Sequence, residues 1–583
     1  MRVVEEKTFR THDGVDLFYR HWPAASGAHR GAIVLFHRGH EHSGRMAHLA
    51  DELDMADFAV FAWDARGQGR SPGERGFSPS LGTSVRDVGT FIEHITSTYG
   101  IAMADIAVVA QSVGAVLVAT WVHDYAPKIR CMVLASPAFK VKLYVPFART
   151  GLAIMQKLRG NFFVNSYVKS RFLTHDPERI KSYDSDPLIA RPIAVNVLLA
   201  LYETADRVVA DAHAITVPTQ LLISGADFVV HHEPQHRFFE RLGTPIKERH
   251  VLRGFFHDTF GEKDRAIAVA HARRFLLERF AEPLSPPSLL AADRTGFTRD
   301  ESDRLASPLP LLSPRGLFWA AGRRNMAIGG LLSEGIRLGH RTGFDSGSTL
   351  DYVYRNAPAG KGPLGRLIDT VYLQSIGWRG IRQRKIHLEE LLRATMARMA
   401  QQGMPIRVMD IAAGHGRYVL EALEASAIKP ESVVLRDYSD INVQAGRELI
   451  RKKGLEGIAQ FVAGDAFDTN SLATVEPKPT LGIVSGLYEL FPDNGMVSRS
   501  LAGLAAAIPQ GGYLIYTGQP WHPQLELIAR TLSSHRAGQA WIMRRRTQAE
   551  MDQLVESAGF RKIDQRIDEW GIFTVSVAER IAS

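Results

Sequence analysis

Ile106–Val118 reads IAVVAQSVGAVLV. Five apolar residues without polar alternation, a short Gln111-Ser112-Val113-Gly114 break and a second apolar run predict a buried strand, a tight turn and a buried helix. A turn this tight needs small neighbours so that the Ser112 hydroxyl can project from a strained backbone. The stretch fits the nucleophile-elbow pattern GxSxG with Ala110 in the place of the first glycine. The helix start behind Ser112 would also bring positive potential to a developing oxyanion. The longer apolar run Ile106–Val122 falls short of spanning length and is broken by Gln111, Ser112 and Gly114, so it does not read as a membrane segment.

Working outward, GAIVLFH, FAVFAWD, RCMVLAS and TQLLISG alternate with helical patterns, as in a mostly parallel α/β sheet. Asp227 follows TQLLISG in SGADFVV, and His257 lies in RGFFHDTFGE ahead of a terminal helix. Nucleophile, acid and histidine thus follow in the chain order Ser, Asp, His. His257 would take the Ser112 proton, and Asp227 would fix its tautomer and stabilise its cation.

The loop FHRGHEHSGR (36–45) and the stretch DARGQGRS (64–71) add a more specific signal. With them, residues 1 to about 280 resemble the monoacylglycerol lipase-like, or serine aminopeptidase-like, branch of the α/β-hydrolases, whose pattern at the loop is HGxGEHSGR. The resemblance implies an α/β-hydrolase fold and an oxyanion hole made by the amides of Gly39 and Val113. It leaves ester, thioester and peptide substrates open. Arg38 and His40 stand where the family has glycine. Arg38 either borders the acyl pocket and selects substrates with a negative group, or points outward or pairs with Glu41. His37, His40, His42 and His48 are not read as a metal site, because a triad needs none.

The stretch 140–211 interrupts the strand–helix alternation with irregular helical sequence and is read as a cap over the site or an added packing layer. Residues 282–314, rich in Pro and Ser, are read as a linker between a hydrolase domain at 1–281 and a second domain at 315–583.

A second strand set follows: RVMDIAA, SVVLRDY, QFVAGD, TLGIVSG and GYLIYTG. Asp410-Ile411-Ala412-Ala413-Gly414-His415-Gly416 is close to DxGxGxG, the first motif of class I S-adenosyl-L-methionine methyltransferases, with Ala412 for the first glycine. Small residues let the backbone approach a cofactor's aminoacyl part, and Asp410 can engage its ammonium directly or through water. A nicotinamide dinucleotide fits worse, since the third glycine of GxGxxG would fall at Val419. Asp437 ends the next strand, placed for the ribose hydroxyls, and Asp465-Ala466 end the third, placed for adenine. Tyr488, Glu489, Trp521 and His522 follow the fourth and fifth strands and either line an acceptor pocket or, for Tyr488 and Trp521, pack structurally. Residues 315–583 resemble the bacterial methyltransferase family found fused to such hydrolases. The resemblance implies a Rossmann-like fold with a helical extension over the site and S-adenosyl-L-methionine as cofactor.

The 583 residues suffice for two large domains, and 45% hydrophobic and 23% charged residues match soluble globular proteins. Cys131 is the one cysteine, which excludes an intramolecular disulfide, and its CMVLASP context reads as core strand. MRVVEEKTFRTHDG has no apolar stretch of signal-peptide length, so a cytoplasmic location is expected. The net charge of +8 comes with basic clusters at Arg323-Arg324, Arg379–Lys385, Lys452-Lys453 and Arg544–Arg546, read as solvated helix faces. Small-molecule or lipid substrates with peripheral membrane contact are the expected partners, and nucleic acid is not. Together these readings predict a bifunctional enzyme, a serine ester hydrolase joined to a methyltransferase with a lipid-related acceptor. The alternatives are an aminopeptidase or thioesterase beside an RNA or protein methyltransferase, or one inactive regulatory domain.

Overall fold

The computed structural model describes residues 2–581 apart from 26, 28, 143, 144, 146, 167, 311 and 537. The chain forms two compact units, Met1–Pro287 and Ser288–Ser583. The first holds strands β1 (Glu5–Arg10), β2 (Asp16–Trp22), β3 (Gly31–Phe36), β4 (Phe58–Trp63), β5 (Ile106–Gln111), β6 (Cys131–Ala135), β7 (Phe163–Asn165), β8 (Pro192–Ala194), β9 (Thr219–Ser224) and β10 (Lys247–Leu252). Eight of them make one sheet in the order β1-β2-β4-β3-β5-β6-β9-β10. β2 runs antiparallel to both of its neighbours, and the remaining pairs are parallel.

The inner strands carry no polar alternation because both faces are covered. Along β3, Ala32, Val34 and Phe36 face one apolar cluster, and Ile33 and Leu35 face another. The first cluster takes in helices Leu81–Tyr99 and Val113–Tyr125, and the second takes in helix Ala266–Ala281. Helix Val113–Tyr125 is buried from Gly114 through Asp124, as expected of a helix apolar all round. Cys131 is fully buried in β6, and burial pushes its thiol up to about 12. The chain passes from β3 to β4 on one side and later to β5 on the other, so a crevice opens where the loops after β3 and β5 diverge.

Between β6 and β9 lie helices Ala148–Arg159, Pro177–Ser185 and Val195–Ala210 and the antiparallel β7–β8 pair. This is the stretch expected as a cap or an added packing layer, of which residues 143, 144, 146 and 167 are outside the described residues. Helix Pro177–Ser185 is tied to the loop after β3. Arg45 Nη1 donates to Ser182 Oγ at 2.7 Å, Arg179 Nη2 donates to the Arg45 carbonyl at 2.7 Å, and His42 Nε2 lies 2.9 Å from Asp186 Oδ2.

The second unit has β11 (Arg407–Asp410), β12 (Ser432–Asp437), β13 (Ala459–Ala463), β14 (Leu481–Val484), β15 (Tyr513–Gly518), β16 (Phe560–Ile567) and β17 (Thr574–Arg580). Their order is β13-β12-β11-β14-β15-β17-β16, with β17 antiparallel to β15 and β16 and the rest parallel. This is a Rossmann-like sheet, and its strand order reverses between β11 and β14. Helices Pro314–Leu332, Glu334–Thr342, Gly347–Arg355, Gly362–Leu373 and Ile376–Gln401 precede it.

Two expectations fail here. Residues 288–314 belong to the second unit rather than to a linker, and they include helix Phe297–Ala306. Leu289 N–H donates to Gln553 at 2.7 Å, Asp293 accepts the Asn494 N–H at 2.9 Å, and Leu305 is buried. The Pro and Ser content reflects an exposed path, whereas these few contacts fix it. Arg544, Arg545 and Arg546 are also not a solvated face. All three are buried, with Arg544 paired to Glu550, Arg545 to Glu301 at 2.5 Å, and Arg546 Nη1 donating to the Tyr488 carbonyl at 2.6 Å. Among the described residues, no helix is long and apolar enough to cross a membrane.

Candidate active sites

Ser112 sits between β5 and helix Val113–Tyr125 with φ 56° and ψ −115°, a conformation that an L-residue adopts only under constraint. The sequence permits the turn through Gly114, where a Cβ would come within 2.4 Å of the His37 carbonyl. His257 Nε2 lies 2.8 Å from Ser112 Oγ, and His257 Nδ1 lies 2.8 Å from Asp227 Oδ2. The other Asp227 oxygen accepts the backbone N–H groups of Val229 and Val230 at 2.7 and 3.0 Å. Burial alone would raise the Asp227 carboxyl, but His257 and these two amides outweigh it and bring its pKa below the ordinary value. Three residues up to 145 positions apart thus form one continuous line of hydrogen bonds. A proton can leave Ser112 for His257 while Asp227 holds the far side of the ring.

Gly39 adjoins the elbow: a Cβ there would lie 3.1 Å from Val113 Cγ2. The two residues whose amides the resemblance assigns to the oxyanion hole are therefore neighbours in space. His40, at a family glycine position, keeps φ 65°, so the loop retains its left-handed turn without glycine, at a cost of roughly 1–3 kcal/mol. Burial pushes the His40 imidazole down to about 4.

For Arg38 the alternative seen is the pairing with Glu41. Arg38 is buried, donates to Glu41 Oε1 at 2.8 Å and lies over the Tyr183 ring at 5.0 Å. Glu41 neutralises the guanidinium, and the pair braces the loop against the cap. The loop histidines are likewise engaged: His37 Nε2 accepts the Ala65 N–H at 3.0 Å, and His48 Nε2 donates to the Phe260 carbonyl at 2.7 Å.

The loops after β11, β12, β13 and β14 border a cavity of about 820 Å³. Ala412, Gly414, Gly416, Asp437, Asp465 and Ala466 all line it, as the motif positions predict. Gly414 and Gly416 take φ of 57° and 73°, which glycine allows without strain. At Gly416 a Cβ would meet Leu435 Cδ1 at 2.5 Å. Asp437 is buried. Its Oδ2 accepts the Gly414 N–H at 2.9 Å, its Oδ1 accepts the Ser439 N–H at 2.9 Å and an Asn442 amide hydrogen at 3.1 Å, and burial raises its pKa.

Asp410 does not border this cavity. Fully buried, it accepts the Ala412 N–H at 3.2 Å and so holds the loop from behind, and burial pushes its carboxyl up to about 7. The motif position marks the strand end but not the side-chain direction. Residues that the motifs do not predict complete the wall: Asp345, Ser346 and Gly347 from the helical extension, and Tyr438, Asn442 and Phe467 from the core. Serine and glycine at 346–348, between two helical patterns, were the available signal for a loop at the site.

A second cavity, of about 750 Å³, takes Glu489 and His522 but neither Tyr488 nor Trp521. Tyr488 is buried in the core and donates to Ser500 Oγ at 3.0 Å. Trp521 packs against the apolar cluster of the helical extension. For these two the structural alternative holds.

Residues 272–580 match the family described as "Putative methyltransferase", and residues 27–264 match "Serine aminopeptidase, S33". The uncharacterized protein YnbC of Escherichia coli (strain K12) is 56% identical over 580 residues, 99% of each chain. The monoacylglycerol lipase of Mycolicibacterium smegmatis is 26% identical over 271 residues, covering 45% of this chain and 94% of that one. The monoglyceride lipase of Homo sapiens is 28% identical over 251 residues, 42% of this chain and 80% of that one. With its first unit a monoacylglycerol lipase-like α/β-hydrolase and its second covered by the 272–580 match, the chain belongs to the family described as "Putative methyltransferase".

Proposed function

We propose that the first unit is a serine carboxylester hydrolase of lipase or lysophospholipase type and the second an S-adenosyl-L-methionine-dependent methyltransferase with a lipid-related acceptor. The observation that carries the first reading is the 2.8 Å and 2.8 Å line from Ser112 through His257 to Asp227 at a strained elbow. Ser112 Oγ attacks the ester carbonyl as His257 Nε2 takes its proton, and Asp227 stabilises the imidazolium. The oxyanion of the tetrahedral intermediate lies against the amides of Gly39 and Val113. Collapse returns the proton from His257 to the leaving alcohol, and a water, deprotonated by the same histidine, then releases the acid from Ser112. An ester substrate is supported by the lipase names of the relatives that match this half.

The residues of the first methyltransferase cavity fit the cofactor. Asp437 has carboxylate oxygens in the wall with room for ribose hydroxyls. Asp465 and Phe467 stand where adenine would lie, and the glycine loop leaves space for the aminoacyl part. When bound, S-adenosyl-L-methionine supplies an electrophilic methyl group on a sulfonium. The chain's part is to hold donor and acceptor in line and exclude water.

Two measurements on the full chain test this reading. A fluorophosphonate probe is expected to label Ser112, and calorimetry is expected to show saturable binding of S-adenosyl-L-methionine. Absence of labelling with turnover of p-nitrophenyl esters intact overturns the serine mechanism. Absence of binding overturns the cofactor assignment.

A further inference from the structure

The second cavity of the methyltransferase unit, at about 750 Å³, falls within the roughly 300–1,000 Å³ of small-molecule sites. It adjoins the cofactor cavity, for Asp345, Leu350, Gly486 and Leu490 border both. Its walls are apolar, with Trp319, Met326, Ile368, Trp378, Ile528 and Phe573 among them. Phe318, Leu367 and Val371 also line it, yet each is 60–67% exposed, so apolar side chains continue to solvent.

Polar groups gather beside Gly486, where the two cavities meet. The Thr517 hydroxyl accepts the Gly486 N–H at 2.9 Å and donates to Glu489 Oε1 at 3.1 Å. Arg384 Nη1 lies 3.9 Å from the same carboxylate oxygen. Gln519 follows two residues after Thr517 and lines the cavity, as do Glu489 and Arg384. All three are buried, and Glu489 Oε2, Gln519 Nε2 and Arg384 Nε have no hydrogen-bond partner. A buried polar atom left unpaired costs roughly 1–3 kcal/mol, so several of them on the wall of an apolar cavity point to a polar group of a ligand there. One free acceptor and free donors on the residues lining one cavity suit a head group that both donates and accepts. A neutral hydroxyl does both, whereas a carboxylate has no hydrogen to donate to Glu489 Oε2.

We propose that this cavity is the methyl-acceptor site and that its occupant is a single-chain n-alkyl compound with an uncharged hydroxyl head. The tail lies among the apolar walls, and the hydroxyl donates to Glu489 Oε2 and accepts from Gln519 Nε2. The acceptor role rests on the methyltransferase reading above. In the transfer the acceptor oxygen bonds to the methyl carbon as the carbon–sulfur bond breaks, with its electron pair returning to sulfur. The hydroxyl proton passes to Glu489 Oε2, leaving a methyl ether and S-adenosylhomocysteine.

The test is calorimetry of the full chain with 1-hexanol, 1-octanol, 1-decanol and decanoate, alongside S-adenosyl-L-methionine in the same preparation. Burial of a methylene contributes about 0.8 kcal/mol, so affinity should climb roughly 100-fold or more from hexanol to decanol. Decanoate should bind at least about tenfold more weakly than decanol, the factor for about 1.4 kcal/mol, because it leaves Glu489 Oε2 without a donor. Ile368→Trp, which fills the cavity, should abolish the chain-length series while leaving cofactor affinity unchanged. Leu527→Trp, at a more exposed lining position, serves the same purpose should the first variant not fold. Affinity independent of chain length, decanoate binding tighter than decanol, or an unaltered series in the folded plugged variant would each overturn the proposal. Loss of cofactor binding by the unmodified chain would instead overturn the methyltransferase reading and is seen on its own arm.

Discussion

Arg38 Nη2 lies 2.8 Å from Glu41 Oε1 with both side chains buried, and Glu41 is also within 3.4 Å of Arg45 Nε. The guanidinium that could have met an anionic substrate is occupied in holding the loop that carries Gly39. Arg38→Gly should therefore leave the ratio of kcat/KM for a neutral monoacylglycerol and a lysophospholipid unchanged. It should also lower stability by as much as about 3 kcal/mol, since Glu41 keeps only part of its compensation. Urea melts and paired kinetics check both parts. A selective loss of about tenfold for the anionic substrate would show that Arg38 reads charge after all.

Ser112 holds φ 56° in the unsubstituted protein, so its side chain can be removed without asking the backbone for a new conformation. Ser112→Ala and Ser112→Gly should both abolish fluorophosphonate labelling and lower ester turnover by at least about 10³-fold, leaving what the oxyanion amides alone supply. The glycine variant should be the more stable of the two by about 1 kcal/mol, because glycine relieves the strain that alanine keeps. Both variants should bind S-adenosyl-L-methionine as the parent does. Wild-type turnover in either would remove Ser112 from the mechanism.

The buried parallel strands were legible because they are continuous apolar runs; Ser112 and Asp227 were legible because each follows such a run, and His257 because it completes the chain order Ser, Asp, His ahead of a terminal helix. The edge strands β1, β10 and β16 were not read, since charged and polar residues crowd them and few of their residues are fully buried. β17 is buried from Thr574 through Ala578, but its partner β16 reads as polar, so no strand pair stood out there. Site residues failed where position along the chain leaves side-chain direction open. Tyr488 and Glu489 are neighbours, yet one turns into the core and the other into a cavity. Asp410 was placed correctly at a strand end and still does not line the cavity there. Arg544–Arg546 looked solvated because their partners, Glu301, Asn494 and Glu550, are distant in sequence or on a following helix.

Asp437 ties the loop after β11, through Gly414, to the turn and helix start that follow β12, through Ser439 and Asn442, and it lines the cavity proposed for the cofactor. Asp437→Ala should weaken S-adenosyl-L-methionine binding by about 1–3 kcal/mol, or roughly 5- to 150-fold in Kd, as a charge-assisted acceptor is lost. Calorimetry reads this directly. Melting temperatures for both proteins show how much of the loss comes from loosening the glycine loop. Unchanged affinity would mean that the ribose does not lie at the end of β12.

His522 is buried beside the second cavity, and burial pushes its imidazole down to about 3. Its Nδ1 accepts the Gln524 N–H at 3.0 Å, so the neutral ring carries its proton on Nε2. The folded protein binds fewer protons at this group than the unfolded chain between about pH 3 and the ordinary histidine value near 6.5. The stability gained by keeping the ring neutral is therefore fully present above about pH 6.5 and drains away as the pH falls toward 3. On lowering the pH from 7 to 5, the parent should lose about 2 kcal/mol more stability than His522→Gln, which has no such group to protonate. Urea melts of the two proteins at both pH values measure the difference. Parallel losses would show that His522 takes up its proton inside the fold as readily as outside it, and that the cavity wall tolerates a cation there.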